Sequence, residues 1–355
     1  MHINEVKLDN ALKFIEQGIE KEDFPGAAVV IGNKSEILRK RHFGNRCIYP
    51  EVIPMESDTL FDLASLTKVT ATTTLFMVFM ELGLVSLYDK VKEFLPDFTG
   101  QDKDEITLFN LLTHTAGFPP YKPLYKLCKD HDNAIKYIIN LDLEYKPGTK
   151  VVYSDFSYII LGLILEMIGG DKLDKLCNKY VFKPLGMKNT CFNPITKNVA
   201  ATEIKPEINM PLIGVVHDGN ARFLGGVAGH AGLFSNIEDM AIFANMLINK
   251  GKAGKNSFLS PTTVSSMIRN YTSNLNEYRG LGWCVKGDKL SSGGDIISPS
   301  AFGHTGFTGT SIWVDMENNI YIVLLTNRVH PTRDNVNIIR FRRLFHNLVL
   351  SSIEY

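Results

Sequence analysis

Phe61-Asp62-Leu63-Ala64-Ser65-Leu66-Thr67-Lys68 opens the stretch on which the reading of this chain turns, and Val69-Thr70-Ala71-Thr72-Thr73-Thr74-Leu75-Phe76-Met77-Val78-Phe79-Met80 completes it. The second half is apolar enough for a buried helix, and Gly83, just past Leu82, is a good C-terminal stop. The first half sets a serine and a lysine three residues apart at the helix head. Positions i and i+3 are neighbours on a helix surface, so the Lys68 ammonium can reach the Ser65 hydroxyl. A helix start also offers free N–H groups and the positive end of the dipole, which suits a nucleophile whose attack creates an oxyanion. Taken alone, the pair reads better as an N-cap and a first-turn surface lysine. The rest of the chain decides.

Outward from this stretch, 355 residues suffice for one large domain or two interleaved ones. With 45% hydrophobic and 21% charged residues, a substantial core is expected. Lys plus Arg (38) equals Asp plus Glu (38), so no net charge points to nucleic acid or an anionic membrane as partner. The five cysteines are scattered and include no C-x-x-C, which speaks against a zinc ribbon or a redox pair and for free thiols in a reducing compartment. Residues 1–7 lack the apolar run of a signal peptide, and the longest apolar runs, such as 159–165, are too short for a bilayer. A cytoplasmic protein is expected, unless a leader has been removed, and a monomer is the default.

Before the Ser65 stretch, apolar residues at Leu8, Leu12, Ile15 and Ile19 have helical spacing. Pro25-Gly26 breaks the pattern, and strands are expected over 27–32 and 36–43 around Asn33-Lys34-Ser35. Beyond the stretch, helices are expected over 85–95, 108–113, 133–140, 156–168, 173–182 (ended by Pro184), 237–249 and 261–270. Over 196–220 the pattern fades, and a long loop is expected. The last quarter predicts strands over 281–286, 311–315 and 320–326, then a closing helix over 336–350. The fold class is therefore α/β of the α+β type. An antiparallel sheet is built from both termini and flanked by the terminal helices, with a large, mostly helical insertion. Residues 1–69 and 280–355 would form the sheet subdomain and 70–279 the helical one, with the active site at their junction.

Two further motifs follow the serine. Tyr153-Ser154-Asp155 lies just before the 156 helix. His304-Thr305-Gly306 is expected at the start of a C-terminal strand, where Gly303, Gly306 and Gly309 fit a backbone approached closely by a ligand. Each motif alone has a plainer reading: a core tyrosine, an N-cap, a strand-end histidine. In order, S-x-x-K, Y-x-(N/D) and (K/H)-T-G resemble the serine β-lactamase and penicillin-binding protein superfamily. The tyrosine form looks like its class C and esterase-related branch. The resemblance spans about 60–328 and includes Leu111-Leu112-Thr113-His114-Thr115-Ala116-Gly117 and Gly229-His230-Ala231-Gly232-Leu233-Phe234-Ser235. Residues 304–311 together with 324–331 look like a sub-branch of muropeptide-processing members, carboxypeptidases and N-acetylmuramyl-L-alanine amidases.

The resemblance implies a serine hydrolase that cleaves an ester or amide through a Ser65 acyl-enzyme. Its substrate would be a small molecule or peptide, such as a cell-wall peptide fragment, and no cofactor is implied. Lys68, its pKa lowered by burial and cationic neighbours, would hold the site positive and help deprotonate Ser65. Tyr153, a phenol with pKa reduced by Lys68, would relay the proton to the leaving group. The backbone N–H groups of Ser65 and Phe307 would form the oxyanion hole.

Two positions depart from the commonest family pattern. Asp155 stands where asparagine is usual, and either pairs with Lys68 or changes which substrate amide is held. His304 replaces a carboxylate-binding lysine, as a pH-dependent cation with pKa ~6.5 or as a hydrogen-bond donor. Both shift the expectation from a true β-lactamase toward an esterase, amidase or peptidase. A promiscuous carboxylesterase and a catalytically silent muropeptide or β-lactam sensor are the competing readings; intact Ser65, Lys68 and Tyr153 argue against silence. Thr305, Gly306, His217, Asp218, His230 and Arg328 are further candidate substrate contacts. His217 and Asp218 read equally as loop hydrogen-bonding residues, and Arg328 reads equally as a carboxylate-binding edge, together with His330, or as a solvated charge. His217, Asp218 and His230 fit no usual zinc spacing, so no metal is expected. His114 reads as structural.

Overall fold

The computed structural model describes residues 2–100 and 102–354. The helical spacing near the N-terminus becomes α1 (Glu5–Glu20), started by the Asn4 side chain accepting from the Lys7 N–H and burying Leu8, Ala11, Leu12 and Ile15. It is followed by β1 (Gly26–Gly32), β2 (Ile37–Cys47) and β3 (Ile53–Pro54). Every residue of β1 is buried, the mark of a strand covered on both faces. Next come β4 (Phe61–Asp62), α2 (Thr74–Glu81) and α3 (Asp155–Gly169). After them lie β5 (Cys191–Phe192), β6 (Leu233–Ser235) and α4 (Ile237–Ile248). The chain closes with β7 (Cys284–Val285), β8 (Phe302–Thr305), β9 (Ser311–Asp315), β10 (Ile320–Thr326) and α5 (Ile338–Leu350).

Seven strands form one antiparallel sheet in the order β7-β8-β9-β10-β1-β2-β3. The N-terminal hairpin is joined to the C-terminal strands through β10 and β1, with Val323 opposite Val30 and Leu325 opposite Ala28. Alternate residues then face opposite cores. Ala27, Val29, Ile31, Ile322 and Leu324 pack under α1 and α5, where Phe14 stacks on Phe341 at 4.7 Å. Ala28, Val30, Val323 and Leu325 belong to the larger core shared with the central helices. This is the sheet from both termini, flanked by terminal helices, that the hydrophobic pattern predicts.

Four local expectations differ from the structure. Only Val91–Phe94 of the 85–95 segment is helical, because Leu87 and Asp89 use their carbonyls to accept from Phe109 and Leu108. The 173–182 helix runs on through a wide turn to Leu185. Pro184 sits in the first turn of its last segment, where a missing N–H costs nothing, and Gly186 at φ +77 supplies the stop. The 196–220 loop carries a short strand pair, Ile204–Lys205 with Met210–Pro211, and leads into a helix over Gly219–Phe223. His304 lies near the end of its strand rather than at the start. No helix among the described residues is long and apolar enough to cross a membrane.

Candidate active site

Ser65 sits in a turn between β4 and the helix that leads into α2. Ala64 before it has φ +46, a left-handed conformation that a non-glycine residue adopts only under constraint. The constraints are visible. Asp62 accepts from the Ala64 N–H at 2.8 Å and the His217 N–H at 2.7 Å. Thr67 donates to the Ala64 carbonyl at 2.6 Å, Thr310 to the Leu63 carbonyl at 3.1 Å and Thr308 to the Asp62 carbonyl at 2.7 Å. Burial pushes the Asp62 carboxyl above its usual range, against the pull of its two backbone donors.

The helix begins at Leu66, directly after the serine, as the sequence suggests, but its first turns are not plain α. Lys68–Thr73 forms a π-helical turn before α2, with the Thr74 hydroxyl bonded back to the Val69 carbonyl at 2.7 Å. This turn puts Lys68 fully inside. Its Nζ donates to Ser65 Oγ at 3.0 Å, Asp155 Oδ1 at 2.7 Å and the His230 carbonyl at 3.0 Å, which uses all three ammonium protons. The open question at Asp155 is resolved: it pairs with Lys68. The expected lowering of the Lys68 pKa is corrected. Burial does favour the neutral amine, but the Asp155 carboxylate and the Tyr153 oxygen outweigh it and hold the ammonium above its ordinary value.

Tyr153 and Asp155 are placed by His114, as its structural reading anticipates. The Ser154 N–H donates to His114 Nδ1 at 3.1 Å, and the Ser154 hydroxyl to the Pro119 carbonyl at 2.6 Å. The His114 ring lies 4.6 Å from that of Tyr153. Lys68 Nζ stands 4.8 Å from the Tyr153 ring centre. Burial pushes the phenol above its ordinary range, and the pull of Lys68 in the other direction does not offset it. The expected reduction is therefore also corrected.

His304 is buried and its ring lies 5.9 Å from that of Tyr153. Its Nδ1 is 2.9 Å from the Thr305 carbonyl, which can only accept, so Nδ1 carries the proton. Nε2 then presents a lone pair, buried and without a partner among the described residues. Burial, with Arg279 and Lys68 nearby, holds the ring well below the ordinary histidine value. His304 is thus a neutral acceptor, not the cation or the donor that its motif suggests.

A family model described as Beta-lactamase matches residues 12–347. The chain belongs to the beta-lactamase family. It is a serine hydrolase of that family by its ordered motifs and this match. An N-acetylmuramyl-L-alanine amidase of Bacillus subtilis (strain 168) is 35% identical, over 90% of this chain and 81% of its own length. A protein of Escherichia coli (strain K12), provisionally named a D-alanyl-D-alanine carboxypeptidase, is 32% identical over 93% of this chain and 85% of its own. Among solved structures, EstCE1, a hydrolase with promiscuous acyltransferase activity, superposes with a TM-score of 0.80 at 22% identity, covering 98% and 99% of the two chains. The octameric penicillin-binding protein homologue from Pyrococcus abyssi gives 0.71 at 20% identity, over 90% of this chain and 73% of that one. Both structures share the fold.

In this member of the beta-lactamase family, Ser65, Tyr153, His304, Phe307, Arg279 and Arg342 line one cavity of about 430 Å³. Gly306 lets its wall close in: a Cβ there would lie 2.5 Å from the Leu63 carbonyl and 2.1 Å from the Thr310 hydroxyl. Arg279 and Arg342 were not singled out in the sequence. Arg279 reaches under Tyr153, 5.5 Å from its ring centre, and is tied to Glu277 at 2.7 Å and Cys284 Sγ at 2.9 Å. Its signal is spatial only, since it precedes the strand that lines the cavity and belongs to no motif.

The remaining candidates divide. Asp218 caps the Gly219–Phe223 helix and pairs with His230 Nε2 at 2.9 Å. Despite burial, His230 holds the Asp218 carboxyl well below its usual range. Asp155, Asp218 and His230 bring ligand-type atoms within 4.8 Å of one another, but Lys68 already supplies a cation to Asp155 there. His217 stacks on the half-exposed ring of Phe307 at 5.6 Å and bonds Glu203 at 3.1 Å. Arg328 is buried and covers the same ring at 4.3 Å, so it is not a solvated charge. His330 accepts from the Ile48 N–H at 3.0 Å and its Nδ1 donates to the Thr202 carbonyl at 2.9 Å. Both its nitrogens are therefore engaged in tying loops together, which corrects its pairing with Arg328 as a substrate edge.

Proposed function

We propose that Ser65 is the nucleophile of an acyl-enzyme hydrolase acting on amide bonds of alanine-containing cell-wall peptide fragments. The observation that carries the mechanism is the three-way hold on Lys68. Its ammonium bridges Ser65 Oγ and Asp155 at 3.0 and 2.7 Å. The substrate class is supported by the names of the two curated relatives, an alanine amidase and a provisional D-alanyl-D-alanine carboxypeptidase. We read the site as the seam between a sheet half, 1–69 with 280–355, and a helical half, 70–279.

In this reading Ser65 Oγ attacks the scissile carbonyl while its proton passes to the Tyr153 oxygen. Tyr153 in turn gives its own O–H proton to the departing amine, so the site gains and loses none. Such an exchange needs neither a free tyrosinate nor a free lysine amine, which suits a raised phenol and a paired ammonium. The developing negative charge on the carbonyl oxygen falls to the N–H groups of Ser65 and Phe307. Neither N–H donates to another group among the described residues. Asp155 keeps Lys68 charged and aimed. Water then attacks the ester, and Tyr153 passes the proton back to Ser65.

A second reading, a carboxylesterase, is favoured by the mouth of the cavity, where Phe307, Val336 and Ile339 are exposed apolar side chains. One panel separates the two: N-acetylmuramyl-L-alanine, D-Ala-D-Ala peptides, muropeptides and simple esters, with products identified by mass spectrometry. Amide cleavage of a cell-wall fragment is expected. Turnover of simple esters alone would contradict the substrate assignment.

A further inference from the structure

Two cations and one carboxylate lie beside Tyr153. Lys68 Nζ stands 4.8 Å from its ring centre and the Arg279 guanidinium 5.5 Å. Asp155 pairs with Lys68 at 2.7 Å. Asparagine is usual at this position, so the chain carries a negative charge here that the common family pattern lacks. Burial first, and Asp155 with it, push the phenol up, and Lys68 alone does not bring it back.

Arg279 is fixed in place. Its backbone N–H donates to the Thr272 hydroxyl at 2.8 Å, and its carbonyl accepts from the Tyr271 N–H at 2.8 Å. Nε and Nη2 donate to Glu277 at 3.2 and 2.7 Å, and Nη1 donates to Cys284 Sγ at 2.9 Å. These partners leave its charge felt at Tyr153. The Arg279 side chain is 7% exposed and that of Glu277 46%, so water screens the carboxylate while the guanidinium stays buried. Burial pushes the Cys284 thiol up, so it stays neutral. His114 and His304, the other rings around Tyr153, are also kept neutral, by burial first and by Arg279 next. Lys68 is offset by Asp155, and Arg279 supplies the surplus positive charge.

We propose that Arg279 is a positioning residue that offsets Asp155: it braces the Tyr153 ring and keeps a buried positive charge beside it, so that the phenol can give up its proton to the leaving group. This role rests on the reading of Ser65 as nucleophile and Tyr153 as proton carrier. In that step the bond from Ser65 Oγ to the carbonyl carbon forms and the bond to the leaving group breaks. The Ser65 proton goes to the Tyr153 oxygen, and the Tyr153 proton departs on the leaving group. Where donation runs ahead, the phenol oxygen turns negative, and a fixed cation close by steadies it.

The test uses the whole protein at one pH, as Arg279→Gln, Arg279→Lys, Asp155→Asn and the double variant of Asp155→Asn with Arg279→Gln. Each is shown to be folded by its unfolding transition, and Arg279→Met replaces Arg279→Gln if the latter does not fold. Two esters of one acid are compared by kcat/KM: p-nitrophenyl butyrate, whose leaving group needs no proton, and ethyl butyrate, whose leaving group does. Arg279→Gln should slow the ethyl ester about 10-fold more than the p-nitrophenyl ester. Arg279→Lys, which keeps the charge, should recover most of that loss. In the Asp155→Asn background the loss should shrink to about 3-fold or less. An equal loss on both esters, or the same loss with and without Asp155, overturns the role. If neither ester is turned over, the rate of fluorophosphonate adduct formation, followed by intact mass, is compared in the same two backgrounds with the same two outcomes. Undiminished turnover by Ser65→Ala would instead overturn the reading of the site, whereas turnover that needs Ser65 but shows additive losses overturns the role of Arg279 alone.

Discussion

Lys68 and Asp155 form an ion pair at 2.7 Å in which the lysine is wholly buried. The pair explains why aspartate stands where the family commonly has asparagine. Removing only the charge, in Asp155→Asn, keeps an acceptor for Lys68 but withdraws what holds its pKa up. The sign follows: a raised lysine stays charged below its unfolded value of about 10.5 and loses charge only as pH rises through the folded value. In Asp155→Asn that loss comes at lower pH. The alkaline limb of the kcat/KM profile should move down, and an unmoved limb would show that the ammonium is not needed. Asp155→Ala, which strands the buried charge, should cost about 3 kcal/mol of stability by denaturant unfolding.

Three buried histidines, His114, His304 and His346, are held below the ordinary value chiefly by burial, His346 at about 3. The unfolded chain binds more protons than the folded one once pH drops below about 6.5. Stability should therefore fall as pH is lowered from about 8 to about 5. His346→Asn, outside the cavity, should flatten the fall. A Tm that holds steady or rises on acidification would contradict these neutral, buried rings.

Because His304 stays neutral, KM for an anionic ester should be constant between about pH 5.5 and about pH 8. Affinity that weakens as pH rises through about 6.5 would restore His304 as a cation.

Gly306→Ala should loosen the wall that carries Phe307. The new methyl meets the Leu63 carbonyl and the Thr310 hydroxyl at 2.5 and 2.1 Å. A stability loss of about 2 kcal/mol or more is expected, with a fall in kcat for ester turnover. Unchanged stability and rate would mean that the turn moves freely away from Ser65.

Much of this was legible in the chain. Val29 to Ile31 and Ile320 to Thr326 are continuous apolar runs, and such runs read as central strands whatever their partners. Ser65, Lys68, Tyr153 and His304 were found through ordered motifs. Charge states were not legible, because they depend on what meets across the fold. The Lys68 pKa was expected to be lowered by burial and cationic neighbours, yet it is raised by Asp155, 87 residues away, whose pairing with Lys68 was only one of two readings open in the sequence. The protonated nitrogen of His304 follows from one backbone carbonyl, and no pattern encodes that contact. Arg279 and Arg342 belong to no motif and became visible only when β7 and α5 brought them to the Ser65 cavity.

The nucleophile is the central claim, and covalent labelling tests it most directly. Wild-type protein and Ser65→Ala, both shown to be folded by their unfolding transitions, are treated with a fluorophosphonate probe and weighed intact. The account predicts one adduct on the wild type, mapped by peptide sequencing to Ser65, and none on Ser65→Ala. An equal adduct on both proteins, or none on a folded wild type with any acylating probe, would contradict it.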